Sequence, residues 1–155
     1  MNTFSKRISH ILNYTFYATI VLLILIYMSS LWYKRSTPTS NLTIKELSAL
    51  TFPKLVFNPD IDLSNQFNFN TKQIFVYLKM IYGPSNKYSE MVWSKIIKAD
   101  DNKLLKNDIY NNYKFSKEVR YFQNVTFELR GSILEYVGRN YDMLIKRIVY
   151  DNKEI

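Results

Sequence analysis

Residues 11–33 read ILNYTFYATIVLLILIYMSSLWY, and this stretch decides how the chain is organised. No charged residue lies between His10 and Lys34. At about 1.5 Å of rise per residue the segment would form a helix of roughly 34 Å, longer than the hydrocarbon core of a bilayer, about 30 Å. The sequence therefore predicts a transmembrane helix over residues 11–33, preceded by a short tail over residues 1–10.

A cleaved signal peptide is the competing interpretation of an apolar segment at an N-terminus. The apolar region of a signal peptide usually runs about 7–15 residues before a small-residue cleavage site, and residues 28–31 match such a site poorly. Trp32 and Tyr33 lie where interfacial aromatic residues are expected, and Lys34 and Arg35 follow directly. These features favour an uncleaved membrane anchor.

The orientation of the anchor is not set by its flanking charges, because Lys6 and Arg7 precede it while Lys34 and Arg35 follow it. Large domains translocate largely regardless of their charge, whereas the short N-terminal tail is purely basic. We therefore expect a type II arrangement, with residues 1–10 in the cytosol and the C-terminal domain across the membrane.

The net charge of +8 does not indicate nucleic-acid binding once it is divided along the chain. All 13 acidic residues and 17 of the 21 basic residues lie beyond Arg35, so that region carries only +4 and shows no concentrated basic stripe. The other four charges flank the anchor, where they suit anionic headgroups. The sequence has no cysteine, which excludes disulfides and thiolate metal sites.

Residues 34–41 are polar, include a proline and lack apolar periodicity, so they are predicted to be a linker to a domain over residues 42–155. Within that domain, apolar or alternating runs bounded by turn residues predict strands. The predicted strands are 42–45, 55–57, 73–82, 91–97 and 124–130. Several short strands separated by turn signals are typical of an antiparallel β-sandwich.

The most strongly patterned segments also predict burial. Residues 73–82 are apolar on both faces, which predicts a strand between two covered surfaces. Residues 124–130 alternate, which predicts one buried and one wet face, and residues 133–137 are a candidate hairpin partner across Gly131 and Ser132. Beyond them the apolar spacing fits a helix or a strand, and the C-terminal segment is left open between the two.

The predicted domain offers no nucleophile with a histidine base. The only histidine of the chain is His10, on the far side of the anchor in the expected orientation. Ser94 and Lys95 resemble a serine–lysine dyad, but neighbours on a strand point to opposite faces. We therefore expect an ordinary strand serine beside a solvent-facing lysine.

Asp60, Asp62 and Ser64 imitate the first ligands of a calcium loop. Asn65 stands where that loop requires glycine, and Thr71 where it requires the closing glutamate. We therefore expect an acidic turn and no metal site. Three glycines in the whole chain are too few for a phosphate-binding loop, and the sequence predicts no cofactor.

Three Asn-x-Ser/Thr sequons occur, at Asn13, Asn41 and Asn124. Asn13 lies within the predicted anchor, and Asn41 follows the anchor too closely for easy access. Asn124 shares the polar face of its predicted strand with Glu128 and Arg130, so a sugar there would leave the core undisturbed. Asn124 is the candidate glycosylation site, and Asn41 is a weaker one.

Six short segments, in order along the chain, carry a family resemblance. The longest is NFNTKQIFVYL at residues 68–78. The others are MNT at 1–3, KRSTP at 34–38, WSKI at 93–96, NKLL at 102–105 and NVT at 124–126. Together they resemble the family of subunit 3 of the eukaryotic signal peptidase complex, its 22/23-kilodalton subunit. The resemblance covers residues 1–130, and a tryptophan-containing segment that follows in the family has no counterpart here.

The resemblance implies a single-pass type II protein of the endoplasmic reticulum membrane whose lumenal β-sandwich packs beside a catalytic subunit. It implies a non-catalytic accessory subunit of the signal peptidase complex that supports cleavage of signal peptides from nascent proteins. The partners would be the catalytic subunit, the other subunits and the lipid bilayer. Candidate contacts to the catalytic subunit are the aromatic side chains Phe67, Phe69, Phe75, Tyr77 and Trp93. The plainer interpretation is that most of them are core residues.

Two other functions stay open at this point. One is a membrane-anchored adhesion or chaperone-like β domain that binds its ligands alone and would be purified in mild detergent without a larger assembly. The other is an autonomous membrane protease, which would require a serine and a lysine or an acid to converge in the domain.

Overall fold

The first element is one long helix, as the sequence predicts. The computed structural model describes residues 4–32, 36–49 and 52–152, and helix α1 spans Phe4–Trp32. It begins at Phe4 and not at residue 11, since residues 4–10 contain no proline or glycine that would end a helix. None of its residues is buried, and its length and apolar composition suffice to cross a membrane. Tyr33, Lys34 and Arg35, predicted to mark the membrane surface, lie outside the described residues.

Nine strands follow in the described residues, and all their pairings are antiparallel. They are β1 (Thr43–Ser48), β2 (Lys54–Asn58), β3 (Ile61–Asp62), β4 (Thr71–Tyr82), β5 (Tyr88–Lys98), β6 (Leu104–Leu105), β7 (Ile109–Tyr110), β8 (Asn124–Glu135) and β9 (Tyr141–Asp151). A four-stranded sheet has the order β5-β4-β8-β9, a three-stranded sheet has the order β1-β2-β7, and β3 pairs with β6. The predicted mainly-β, antiparallel fold class is confirmed.

The four-stranded and three-stranded sheets share one hydrophobic core. One face of β4 supplies its centre with the fully buried side chains Ile74, Val76, Leu78 and Met80. Phe57 from β2 contacts Trp93 from β5 edge-on, with 5.5 Å between ring centroids. Burying a side chain of this size stabilises the fold by about 1.5–3 kcal/mol, so these layers hold the domain together.

Only one face of β4 is covered, although the strand lies inside its sheet between β5 and β8. The face away from the core carries Phe75, Tyr77 and Ile81, which are half-buried. On the same face, Ile96 of β5 and Leu144 of β9 are exposed. The prediction that both faces are covered is therefore wrong, because in the part of the chain that the structure describes this apolar face is screened by neighbouring side chains of the same sheet and not by a second layer.

The predicted hairpin at Gly131 and Ser132 is also wrong, because β8 continues through both residues. Gly131 makes room for packing, since a Cβ there would lie 3.2 Å from Ile145 Cδ1. The chain turns instead at residues 136–140, where Gly138 has a φ of +130°, a conformation that favours glycine. β9 pairs with β8 along its length, so the C-terminal segment is a strand and not a helix.

The described part of the predicted linker packs against the domain. Ser40 forms an isolated antiparallel bridge with Ile61, and its hydroxyl donates to the Pro59 carbonyl. Gln66 Nε2 donates to the Ser36 carbonyl over 2.6 Å. The chain therefore joins the folded domain within a few residues of the end of α1.

Candidate partner surface

The face of the four-stranded sheet that points away from the core, here called the outer face, carries an apolar patch. Phe75 and Tyr77 lie on it with their rings stacked, 5.4 Å apart between centroids. Ile96 pairs with Phe75 across the β4–β5 ladder, while Met91 and Tyr113 line a shallow pocket with Phe75. These five side chains define the apolar patch, and Met91, Ile96 and Tyr113 are exposed.

Strand geometry explains why these residues meet. Residues two apart on a strand share a face, and paired residues of neighbouring strands stand side by side, which places Phe75, Tyr77 and Ile96 together. Tyr113 arrives from the loop after β7. Its backbone N–H donates to the Val92 carbonyl over 3.2 Å, and its hydroxyl lies 2.9 Å from Ser94 Oγ. The loop thus extends the patch beyond the edge of β5.

A row of alternating charges borders the apolar patch on β8 and β9. Arg147 Nε donates to Glu128 Oε1 over 2.8 Å, and Arg130 Nη1 lies 3.3 Å from Glu128 Oε2. Arg130 Nη2 lies 2.5 Å from Asp142 Oδ2. The Tyr77 hydroxyl donates to Asp142 Oδ1 over 3.1 Å, which joins this ionic row to the patch.

The ionic row is fixed in its charge state. Burial alone would raise the pKa of the Glu128 carboxyl. Hydrogen bonds from Arg147 and Arg130 oppose this effect and outweigh it, so the pKa of Glu128 lies below its usual value. The hydrogen bond to Asp142 raises the pKa of Arg130. The pKa of Tyr77 is also raised, mainly by burial and to a smaller extent by the charge of Asp142. Glu128 and Arg130 therefore stay charged, and Tyr77 stays protonated, at neutral pH.

Glu128 corrects the prediction that the polar face of residues 124–130 is wet. The carboxylate belongs to a residue that is only 2% exposed, although it lies on the outer face. The Arg147 side chain, paired beside it across the β8–β9 ladder, covers it. A buried carboxylate is tolerated here because both of its oxygens accept hydrogen bonds from guanidinium groups.

The structure brings together only two of the five predicted contact residues, Phe75 and Tyr77. Trp93 lies in the core and is not available to a partner, so its assignment as a contact residue is corrected. Phe67 is half-buried and packs against the core. Phe69 is exposed in the turn before β4, away from the apolar patch along the chain.

Sequence reasoning missed Met91, Ile96 and Tyr113. A signal for Ile96 was present, because adjacent apolar residues such as Ile96 and Ile97 must point to opposite faces of one strand. Nothing in the local pattern marked Tyr113, which reaches the patch from a loop. The ionic row was missed as well, since it depends on how β9 pairs with β8.

Hydrogen bonds within the domain engage three of the candidate catalytic or metal-ligating residues, Ser94, Asp60 and Asp62. Ser94 and Lys95 pair with Tyr77 and Val76 of β4, so they point to opposite faces as predicted. Asp62 Oδ1 accepts a hydrogen bond from the Ser64 N–H over 2.8 Å, which closes the predicted acidic turn. Within residues 4–32, 36–49 and 52–152, no group of three or more His, Cys, Asp or Glu side chains is arranged to hold a metal ion.

The sequons differ in what their side chains contact. Asn124 is exposed at the start of β8. Asn41 is exposed too, but its Nδ2, the atom that would carry a sugar, donates to Asp60 Oδ2 over 3.1 Å. Asn13 lies within α1. Asn124 thus remains the more accessible candidate for glycosylation.

Similar sequences occur in the signal peptidase complex of other organisms. A model of the family described as signal peptidase subunit matches residues 1–144. The signal peptidase complex subunit 3 of Saccharomyces cerevisiae is 29% identical over an aligned length of 164 positions, and the alignment covers 89% of each chain. The signal peptidase complex subunit 3 of Homo sapiens is 27% identical over an aligned length of 155 positions, and the alignment covers 89% of this chain and 86% of the human protein.

Proposed function

This chain belongs to the signal peptidase subunit family, and we propose that it serves as a non-catalytic accessory subunit of the signal peptidase complex in the endoplasmic reticulum membrane. In this proposal α1 crosses the membrane, with residues 1–10 in the cytosol and the β domain in the lumen. Large domains translocate largely regardless of their charge, whereas the short N-terminal tail is purely basic, and this contrast supports a cytosolic N-terminus. The serine nucleophile and its base belong to another subunit.

The observation that carries the proposal is the outer face of the four-stranded sheet. It combines an apolar patch of aromatic and aliphatic side chains with a bordering ionic row. Interface cores are enriched in aromatic residues, methionine and arginine, and binding energy concentrates in such side chains. We infer that this face packs against the lumenal domain of the catalytic subunit.

The physical role that we propose is scaffolding. β4 is paired along both edges, and its other face is fixed by the core, so the patch cannot shift independently of the domain. At about 3.3 Å per residue, Phe75 and Tyr77 lie roughly 13–20 Å along β4 from Thr71. The sheet would hold the catalytic subunit at a constant height above the bilayer, where signal-peptide cleavage sites emerge.

The experiment is co-purification of a tagged chain from membranes in mild detergent. Met91→Lys and Ile96→Lys, tested singly and together, place charge in the apolar patch. Leu104→Lys on β6 is the matched control, because Leu104 is 41% exposed and Met91 is 42% exposed. The wild type and the control should recover a catalytic serine peptidase subunit, and the patch variants should recover much less at an unchanged melting temperature.

Two outcomes would overturn the proposal. Patch variants that recover the catalytic subunit as well as the control would remove the outer face as the docking surface. A wild-type chain that is purified alone would favour the independent adhesion or chaperone-like domain.

A further inference from the structure

The β8–β9 turn, residues 136–140, lies against the last turns of α1. Ser30 Oγ donates to Glu135 Oε1 over 3.1 Å. An ideal Cβ at Gly138 would lie 3.5 Å from Tyr27 Cδ2, so the backbone of the turn passes within van der Waals range of that ring. The turn is therefore level with residues 27–30 of the helix.

These contacts fix the depth of the turn relative to the bilayer. Ser30 and Tyr27 precede Trp32 by two and five residues, so they lie about 3 and 7.5 Å closer to the membrane centre. The headgroup layer on each side of a bilayer is about 5–8 Å thick, and tryptophan at a helix end prefers that layer. With Trp32 at the outer edge of the layer, a turn level with Tyr27 lies within it.

The exposed side chains at this end of the sheet are of the types that are found in the lipid headgroup layer. Phe69, Tyr136 and Tyr141 are more than half exposed, and Arg139 is exposed beside them along the chain. Aromatic rings are enriched at membrane interfaces, and arginine extends its apolar stem there while its guanidinium reaches lipid phosphates. These four side chains are here called the membrane rim.

The acidic neighbours of the turn do not oppose this contact. Glu135 accepts the hydrogen bond from Ser30, and Asp142 is paired with Arg130 and Tyr77 on the outer face. Both carboxylates therefore have partners within the protein.

The membrane rim is held rigidly to the domain. Asn70 is 1% exposed, and its side chain donates to the Val137 carbonyl over 2.7 Å and accepts from the Val137 N–H over 3.0 Å. The Tyr136 N–H donates to the Asn70 carbonyl over 2.9 Å. The loop before β4 that contains Asn70 also contacts the segment that follows α1, because Gln66 in this loop donates a hydrogen bond to the Ser36 carbonyl.

We propose that the membrane rim is a second membrane contact, embedded in the lipid headgroup layer beside α1. The proposal rests on the proposed membrane anchorage of α1. A helix alone leaves the domain free to tilt about its exit point, whereas a helix and a rigid rim together fix the tilt. The outer face is then presented at one angle to the bilayer as well as at one height.

The absence of cysteine from the chain makes a direct depth measurement possible. Tyr136→Cys and Phe69→Cys provide two single labelling sites in the rim, and Ser89→Cys provides a control near the opposite end of the sheet, where Ser89 pairs with Ile81. Each full-length variant is labelled with an environment-sensitive fluorophore and reconstituted alone into phosphatidylcholine vesicles. Quenching is measured with lipids that carry a nitroxide near the headgroup and with aqueous iodide on both sides of the bilayer.

Labels at positions 136 and 69 should be quenched by the nitroxide lipid and protected several-fold from iodide, relative to position 89. Equal iodide access at all three positions would overturn the proposal. Protection that appears only after the catalytic subunit is added would also overturn it, because a polypeptide and not lipid would then cover the rim. Because the vesicles contain no other subunit, this test and the co-purification test can fail independently.

Discussion

Replacing Asn70 by alanine should release the β8–β9 turn from the loop before β4. The change removes two side-chain hydrogen bonds, of 2.7 and 3.0 Å, to the backbone of Val137. Each is worth about 1 kcal/mol net, and the unpaired groups of Val137 add a desolvation cost, so the loss is about 2–3 kcal/mol. For a domain of this size about 4 °C corresponds to 1 kcal/mol, so the melting temperature should fall by about 8–12 °C.

The assay combines thermal unfolding of the full chain in detergent with hydrogen exchange at residues 136–140. Asn152→Ala is the control, because Asn152 is also buried but donates over longer distances, 3.4 Å to the Phe122 carbonyl and 3.5 Å to the Val119 carbonyl. The control should lose less than about 1 kcal/mol and leave exchange in the turn unchanged. Equal melting shifts in the two variants, or an unaltered turn in Asn70→Ala, would refute the argument that Asn70 holds the turn.

Three further predictions concern other residues. The folded-state pKa of Glu128 lies below the usual pKa of a glutamate, so the stability that Glu128 contributes is present above the usual pKa and is lost as the pH falls through the folded-state pKa. Glu128→Gln should therefore flatten the acid side of a melting-temperature profile. Burial and the hydrogen bond to Glu90 raise the pKa of Tyr82 to about 12. The stability that Tyr82 contributes is therefore present below pH 10 and lost as the pH rises through about 12. Tyr82→Phe should remove one late-titrating tyrosinate from an absorbance titration. Asn124→Gln should abolish any glycosidase-sensitive shift in mobility on a gel, whereas Asn41→Gln should leave that shift in place.

Features that depend on local periodicity were predictable from the sequence. The length of the apolar run predicted α1, and the alternation of residues 124–130 predicted the buried face of β8. The predicted strand over residues 73–82 falls within β4. In each case the prediction needs only one segment, because the spacing of apolar residues within that segment determines whether it forms a helix or a strand and which face is buried.

Features that depend on tertiary context were not predictable. Gly131 looked like a turn residue, but it is needed to make room for Ile145 across the ladder. The apolar second face of β4 looked buried, yet it is the open outer face. Glu128 and Arg147 are 19 positions apart, and only the pairing of β8 with β9 places them side by side. Trp93 looked like a contact residue because aromatic identity alone does not distinguish a core position from a surface one.

Site-specific photo-crosslinking tests most directly whether the outer face contacts the catalytic subunit. A photoreactive amino acid is placed at Ile96 in the apolar patch and, in a second chain, at Leu104, which is exposed on β6. After irradiation of intact membranes, position 96 should give an adduct with the catalytic serine peptidase subunit and position 104 should not. An adduct with that subunit from position 104 and none from position 96 would contradict the assignment of the docking surface.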